Sequence, residues 1–175
     1  MTKKDYRTIV VGTDGSDLAG PTVARAAWLA QRDDADLVII CAFADLSRRE
    51  EAKNVTTIGG DSRVGQVLGR AAASAAIAAA VAVSEREGAT IVATQLVDGD
   101  PAKALLEVAT SQRADLIVLG AVHDRSLADR LLGNTAQEVA RKATCDVLIV
   151  RPVGGESEFE VPESARITED DIPQA

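Results

Sequence analysis

The 175-residue chain has one histidine and two cysteines, and aromatic residues make up only 2% of it. Because the cysteines form no Cys-x-x-Cys pair, the sequence shows no ligand spacing of the kind found in metal sites. The scarcity of aromatics means that the core has to be built from Val, Ile, Leu and Ala. Cys41 and Cys145 are expected to remain thiols, as in a cytoplasmic protein.

The chain also lacks a basic surface charge and a long apolar run. Its formal net charge of -8 argues against binding to nucleic acid or to anionic membranes. The longest stretch of low polarity, residues 71–83, is interrupted by Ser74 and is too short to cross a bilayer. The N-terminus leads directly into a short apolar strand rather than into a signal region. We therefore predict a cytoplasmic protein that binds neither nucleic acid nor membrane.

Motifs for catalysis are missing as well. The sequence contains no Gly-x-Ser-x-Gly elbow, no Walker loop and no Gly-x-Gly-x-x-Gly. The single histidine, His123, has no cysteine near it in sequence that would complete a nucleophilic pair. Because no general base, nucleophile or metal cluster is visible, we expect a binding protein rather than an enzyme. A slow ATPase activity would have no visible catalytic residues to support it.

Short apolar runs alternate with helical patterns along the chain. The runs lie at residues 8–11, 37–43, 90–97, 115–119 and 146–150, and each of the first four is followed by a segment with helical character. The spacing of Val23, Ala26, Ala27 and Ala30 predicts the buried face of the first helix. The second helix is expected from about Val64 to Glu87, and Asp100-Pro101 is expected to start the third. The second run is apolar at nearly every position, which is typical of a strand buried on both faces of a parallel sheet. Five alternations predict an α/β fold with right-handed crossovers and helices on both faces of the sheet.

Glycine turns follow two of these runs. Gly12-Thr13-Asp14 comes after the first strand, and Gly120 comes directly after the fourth. Thirteen positions later, Gly133-Asn134-Thr135 precedes the last helical pattern. A glycine turn and a helix start together offer free N–H groups, and glycine lets an anion approach the main chain. An anion site is therefore one interpretation of these turns.

Each of these motifs also has an interpretation that needs no ligand. Asp14 can bond its own backbone as a turn carboxylate. Thr135 and Glu138 have the spacing of a capping box, in which the Thr135 hydroxyl would cap the helix. Capping uses only some of the free N–H groups, so a cap and a phosphate site are compatible.

Taken together, the motifs resemble the universal stress protein family over roughly residues 6 to 152. They are Gly-Thr-Asp-Gly-Ser, Gly-Asp-Pro, Asp-Leu-Ile-Val-Leu-Gly, Leu-Leu-Gly-Asn-Thr and the final Asp-Val-Leu-Ile-Val-Arg-Pro. Nucleotide-binding members carry Gly-x-x-Gly, nine residues, then Gly-Ser/Thr, and Gly120 and Gly133 match the first and last glycines. Two positions differ, since His123 replaces the second glycine and Asn134 replaces Ser or Thr. His123 either faces water, contacts a phosphate or fills the phosphate space.

The resemblance implies a five-stranded, doubly wound parallel sheet of order 3-2-1-4-5, with a ligand at the switch point between strands one and four. The implied ligand is an adenine nucleotide, ATP or cyclic AMP, with or without Mg²⁺. Ala42 matches the position whose main chain meets adenine. The predicted binding residues are Gly12, Thr13, Asp14, Ala42, Gly120, His123, Gly133, Asn134 and Thr135. The alternative is a nucleotide-free interaction module, as in relatives that lack the glycine motif.

The C-terminal region divides into an assembly strand and a tail. The resemblance implies a homodimer through the last strand, Asp146 to Val150, which would otherwise be an exposed apolar edge. We predict one domain over residues 1–153 and an acidic tail over residues 154–175. The tail contains seven acidic residues and one arginine, Arg166. It is expected to be mobile or to lie across the dimer partner.

Overall fold

The computed structural model describes residues 5–44, 67–121 and 132–151. Ten helices and strands lie in these ranges. In chain order they are β1 (Thr8–Gly12), α1 (Ala19–Asp33), β2 (Asp36–Ala44), β3 (Val67–Leu68), α2 (Arg70–Arg86), β4 (Thr90–Asp98), α3 (Pro101–Ser111), β5 (Leu116–Gly120), α4 (Asn134–Lys142) and β6 (Asp146–Val150).

The strands form one parallel sheet in which the five predicted strands occur in the order β4-β2-β1-β5-β6. This confirms the predicted fold class and the order 3-2-1-4-5. The strand count of five was one too few, because β3 also pairs with β2. β3 has only two residues, so it has no periodicity that the sequence could reveal. Gly69, with φ of 85°, separates it from α2, which begins at Arg70 rather than near Val64.

β3 occupies a defined place beside β2. The carbonyl of Phe43 accepts a hydrogen bond from Gly99 N on the β4 side (2.9 Å), and the carbonyl of Ala44 accepts one from Gly69 N (3.0 Å). Ile40 O, which is on the same edge of β2 as Ala44 O, accepts from Thr13 N at 2.9 Å. Thus β3 lies on the β1 side of β2, beyond the point where β1 ends.

The core has one layer on each face of the sheet. α1 and α2 cover one face and pack on Ile9, Val11 and Ile39, while α3 and α4 cover the other and pack on Val10 and Ile40. β2 is buried on both faces, as its continuous apolar run predicted. Among the described residues, no helix is both long and apolar enough to cross a membrane.

The helices follow the sequence patterns that predicted them. Val23, Ala26, Ala27 and Ala30 form the buried stripe of α1. α3 starts as expected, with Pro101 in its first turn and the Asp100 carboxylate accepting a hydrogen bond from Lys103 N (2.8 Å).

Carboxylates tie the amino ends of the strands together. Asp115 Oδ2 accepts hydrogen bonds from Arg7 N (2.9 Å) and Thr8 N (3.2 Å), which joins the start of β5 to the start of β1. Asp33 Oδ2 accepts from Tyr6 N at 3.1 Å, and the Tyr6 hydroxyl lies 3.3 Å from Asp146 Oδ2. These bonds connect segments that are far apart in sequence, so this end of the sheet is cross-linked by polar contacts.

Candidate functional site

The carboxyl ends of β1 and β5 lie side by side at the centre of the sheet. Val11 is in register with Val118, and each strand ends at a glycine, Gly12 or Gly120. The chain leaves β1 for α1 on one face and leaves β5 for α4 on the opposite face. Because α1 and α4 lie on opposite faces, β1 and β5 flank the topological switch point of the sheet, the place where doubly wound folds generally bind ligands.

The second turn brings together two glycines that the sequence separates. Gly133 N donates a hydrogen bond to Ala121 O (2.7 Å), so the start of α4 lies beside the end of β5. Ala121 N in turn donates to Val150 O (2.8 Å), which ties this junction to β6. His123, one of the predicted binding residues, lies outside the described residues.

Within the part of the chain that the structure describes, no side chain caps the N-terminus of α4. Gly133 is the N-cap, with φ of -62° and ψ of 159°, and its carbonyl accepts the first helical hydrogen bond from Gln137 N (3.0 Å). The first three N–H groups of the helix, those of Asn134, Thr135 and Ala136, therefore precede the first helical bond. They point toward the N-terminal, positive end of the helix dipole, an arrangement that attracts anions.

The predicted capping box at Thr135 is wrong. The bond from Gln137 N to Gly133 O starts the helix at Asn134, so Thr135 is its second residue. From that position its hydroxyl cannot act as the N-cap acceptor. The physical reason is the bond between Gly133 and Ala121, which fixes where the chain enters the helix. Asn134 is exposed and Thr135 half-buried at this helix start.

The first turn lies next to β2. Thr13 is 8% exposed, and its N–H donates to Ile40 O, which extends the contact between β1 and β2 by one residue. Asp14 Oδ1 accepts a hydrogen bond from Ser16 N at 2.9 Å. The interpretation of Asp14 as a turn carboxylate is therefore correct, and it is compatible with a ligand at the carboxylate.

The pKa of Cys41 indicates that Asp14 lies near the end of β2. Burial, and next the negative charge of Asp14, raise the pKa of the Cys41 thiol to about 12. The Asp14 carboxylate is thus close to the carboxyl end of β2. Ala42, only 7% exposed, lies between Ile40, which bonds Thr13, and Ala44, which bonds the residue after β3. Its main chain therefore faces the gap between the end of β1 and β3.

Gly12 and Gly120 have a packing role that the sequence did not reveal. A Cβ atom on Gly120 would lie 3.1 Å from Leu18 Cδ2 and 3.4 Å from Thr22 Oγ1, both on the helix side of the first turn. A Cβ on Gly12 would lie 3.3 Å from Leu105 Cδ2 of α3. Neither glycine has a positive φ. A side chain at either position would therefore crowd a neighbouring leucine, whether or not a ligand binds.

Sequence reasoning also missed the role of Ala121 in joining the elements at this site. It is fully buried, and it links β6 and α4 only through its backbone N–H and carbonyl. An alanine side chain gives no signal of such a role. Within the described residues, no group of three or more His, Cys, Asp or Glu side chains is arranged to hold a metal ion.

Comparisons with known proteins identify the family. The family model described as the universal stress protein family matches residues 5–151. The chain is 38% identical to a universal stress protein of Mycobacterium tuberculosis (strain H37Rv) over 145 residues, which are 83% of this chain and 96% of that protein. It is 30% identical to a universal stress protein of Methanocaldococcus jannaschii over 146 residues, covering 83% and 82% of the two chains.

A solved structure agrees with this assignment. The crystal structure of a universal stress protein in complex with cAMP is 34% identical and superposes with a TM-score of 0.61, covering 85% of this chain and 98% of that one. The order of strands, the switch point at the ends of β1 and β5 and these similarities lead to one conclusion. The chain belongs to the universal stress protein family.

Proposed function

We propose that this chain binds an adenine nucleotide, ATP or cyclic AMP, in the crevice between the carboxyl ends of β1 and β5. The observation that carries the proposal is the hydrogen bond from Gly133 N to Ala121 O. It sets the uncapped start of α4 next to the end of β5, where free N–H groups and the helix dipole favour a phosphate. The cAMP complex of a 34% identical relative supports the same class of ligand.

The crevice offers different surroundings to the three parts of a nucleotide. We assign the base to the main chain of Ala42, which faces the gap between β1 and β3. The ribose is assigned to the side of Asp14, with Gly12 and Thr13 supplying backbone contacts. These assignments follow the family resemblance, and the closeness of Asp14 to Cys41 supports them by setting the first turn against the end of β2.

The phosphates are assigned to Gly120 and to the start of α4, where Gly133, Asn134 and Thr135 are found. Asn134 has an amide that donates hydrogen bonds, so it can replace the hydroxyl donor of the family motif. No group of three or more His, Cys, Asp or Glu side chains among the described residues is arranged to hold a metal, so any Mg²⁺ would be held mainly by the phosphates of ATP. The proposed activity is binding rather than catalysis.

His123 is proposed to limit the space for phosphates beyond the first. Histidine replaces a glycine of the family motif at this position, and free imidazole, with a reference pKa of about 6.5, is mostly neutral at pH 7. We therefore expect steric obstruction to exceed electrostatic attraction. His123→Gly should tighten ATP binding more than cyclic AMP binding. Titration calorimetry on both proteins with both ligands measures the difference. Weaker ATP binding by the variant would instead make His123 a ligand contact.

We further propose that β6 pairs with β6 of a second copy to form a homodimer. All four of its apolar residues, Val147 to Val150, are only half-buried, whereas Leu116 to Leu119 of neighbouring β5 are buried. The opposite edge, β4, is poorly suited to pairing because its register with β2 shifts between Leu37 and Val38, and the extra residue Val92 is 50% exposed. Because the edge at β6 is regular and apolar whereas the edge at β4 is irregular, β6 is the more suitable interface.

Light scattering tests the dimer at micromolar concentration. Val147→Lys together with Ile149→Lys should produce a monomer, because it places charges in the proposed interface. Since both side chains also pack against the core, circular dichroism has to show that this variant is folded. The same two substitutions on β4, at the exposed Thr90 and Val92, are the matched control and should leave the mass unchanged. A wild-type monomer would contradict the proposal.

The nucleotide itself is tested by native mass spectrometry of gently purified protein. We expect an adduct with the mass of an adenine nucleotide, and a smaller bound fraction in Asp14→Ala. If correctly folded protein carries no nucleotide and binds none when ATP or cyclic AMP is added, the interaction-module alternative is correct instead.

A further inference from the structure

The outer face of α1 carries the only tryptophan of the chain. Trp28 is 46% exposed, and Pro21, Ala24 and Arg25 lie beside it around a shallow depression. We call these four residues the Trp28 face. They lie opposite the buried stripe of α1, so they point away from the sheet. Tryptophan is a costly residue to leave in water and is enriched at binding surfaces.

The Trp28 ring is fixed in place from within its own helix. Arg32 Cζ lies 5.2 Å from the centre of the ring, and Arg32 is itself held by Asp33 through two bonds of 2.6 and 3.0 Å. A ring already held in one orientation loses little conformational entropy when a partner binds. The Trp28 face is therefore preorganised for contact.

The positive charge of Arg25 favours a partner that carries negative charge. It lies three residues before Trp28, so the two side chains are neighbours on the helix surface. Arg25 is exposed, and no carboxylate in the described part of the chain forms an ion pair with it. The face thus fits a segment that presents an apolar side chain next to carboxylates.

Such a segment begins close to α1. β6 ends at Val150, which is in register with Gly120, and Gly120 lies against Leu18 and Thr22 at the start of α1. Phe159 comes eight residues after Arg151, a span of up to about 26–29 Å when extended. Trp28 is six residues beyond Thr22, or about 9 Å along the helix. The acidic tail is long enough to reach the Trp28 face from its own β6.

The chemistry of the tail matches the face. With seven acidic residues against one arginine, it carries most of the net negative charge of the chain. Phe159 is its only aromatic residue and lies between Glu158 and Glu160. We propose that the acidic tail docks on the Trp28 face of its own chain, with Phe159 against Trp28 and the flanking carboxylates at Arg25.

Because Trp28 is the sole tryptophan, the tryptophan fluorescence of the full-length protein reports on the surroundings of the Trp28 face. Phe159→Ser and Arg25→Glu should each raise the acrylamide quenching constant of Trp28 by about twofold, since a single aromatic side chain covers about half of an exposed indole. The emission maximum should move to longer wavelength. Adding Glu158→Arg and Glu160→Arg to Arg25→Glu restores opposite charges and should recover the wild-type quenching.

Arg141→Glu, an equal change of charge at an exposed position on α4, is the matched control and should leave the quenching unchanged. Circular dichroism confirms that each variant is folded. Unchanged quenching in both Phe159→Ser and Arg25→Glu, with native spectra, would overturn the proposal. Protection of Trp28 that increases with protein concentration would also overturn it, because a second copy would then be the occupant.

Discussion

The two ends of the central sheet use carboxylates in different ways. At the amino ends of the strands, Asp115 and Asp33 accept hydrogen bonds from backbone groups of distant segments, at Arg7, Thr8 and Tyr6. At the carboxyl ends, Asp14 accepts a hydrogen bond from Ser16 N, two residues away in the same turn. There, too, no side chain of the described residues caps the start of α4.

This difference indicates what each end contributes. Polar groups that join distant segments stabilise the fold, and replacing them removes bonds that nothing else supplies. Polar groups with local partners, beside an uncapped helix start, hold a turn in shape and still face the crevice. A substitution at the amino end should therefore change stability, and one at the carboxyl end should change binding. Substitutions at the two ends of the sheet test this division.

The largest effect is expected at Gly120, where a substitution should change both stability and nucleotide binding. Gly120→Val places a side chain against Leu18 and Thr22 and should destabilise the fold by about 1–3 kcal/mol and abolish nucleotide binding. Gly20→Val is the matched control, because a Cβ at Gly20 meets no atom within 4 Å. Chemical denaturation and calorimetry measure both quantities. Equal stability of the two variants would show that α1 does not pack closely on the end of β5.

Substitutions of Asp115 and Asp14 should distinguish the contributions that the two ends of the sheet make to stability and binding. Asp115→Ala removes the acceptor of two backbone N–H groups and should cost about 1–3 kcal/mol of folding free energy, with unchanged nucleotide affinity. Asp14→Ala should weaken binding about tenfold and cost only about 1 kcal/mol of stability. The reverse pattern, with Asp115→Ala losing affinity and Asp14→Ala losing stability, would refute the division.

Asn134→Asp should move stability and binding in opposite directions. A negative charge in the first turn of α4 interacts favourably with the helix dipole and should stabilise the fold by about 0.3–1 kcal/mol. The same charge repels a phosphate and should weaken nucleotide binding several-fold. Asn134→Ser, the residue type of the family motif, serves as the control and should preserve binding. Stronger binding by Asn134→Asp would place the phosphates elsewhere.

The smallest effect concerns the thiols, which should not influence binding. Burial and the charge of Asp14 raise the pKa of Cys41 to about 12, so at pH 8 almost none of it is the reactive thiolate. Cys145 is half-buried and neither cysteine forms a disulfide. In native protein, Ellman's reagent should modify Cys145 first and Cys41 only after unfolding. Rapid reaction of Cys41 would mean that the end of β2 opens readily.

Much of the fold was predictable because its signals are local. The continuous apolar run of β2 and the Asp100-Pro101 start of α3 each follow from a few neighbouring residues, and the structure confirms both. The two-residue strand β3 was not predictable, since its existence depends on pairing with Phe43 and Ala44 across the sheet. The order of the strands came from the family resemblance, because periodicity does not determine which strands become neighbours.

The candidate site was predictable to a smaller extent. Glycine spacing suggested that Gly120 and Gly133 meet, and the bond between Gly133 and Ala121 joins these turns. The start of α4 at Asn134 and the role of Ala121 depend on backbone hydrogen bonds between distant residues, which side-chain identity does not encode. The same holds for the packing of Leu18 on Gly120.

The most direct test of the central claim is a nuclear magnetic resonance titration of ¹⁵N-labelled protein with cyclic AMP and, separately, with ATP. The account predicts that amide signals of Thr13, Asp14, Asn134 and Thr135 shift, while those of Arg7 and Thr8 at the opposite end of the sheet do not. Unchanged carboxyl-end amides at millimolar nucleotide in folded protein, or shifts confined to the amino end, would contradict the proposed site.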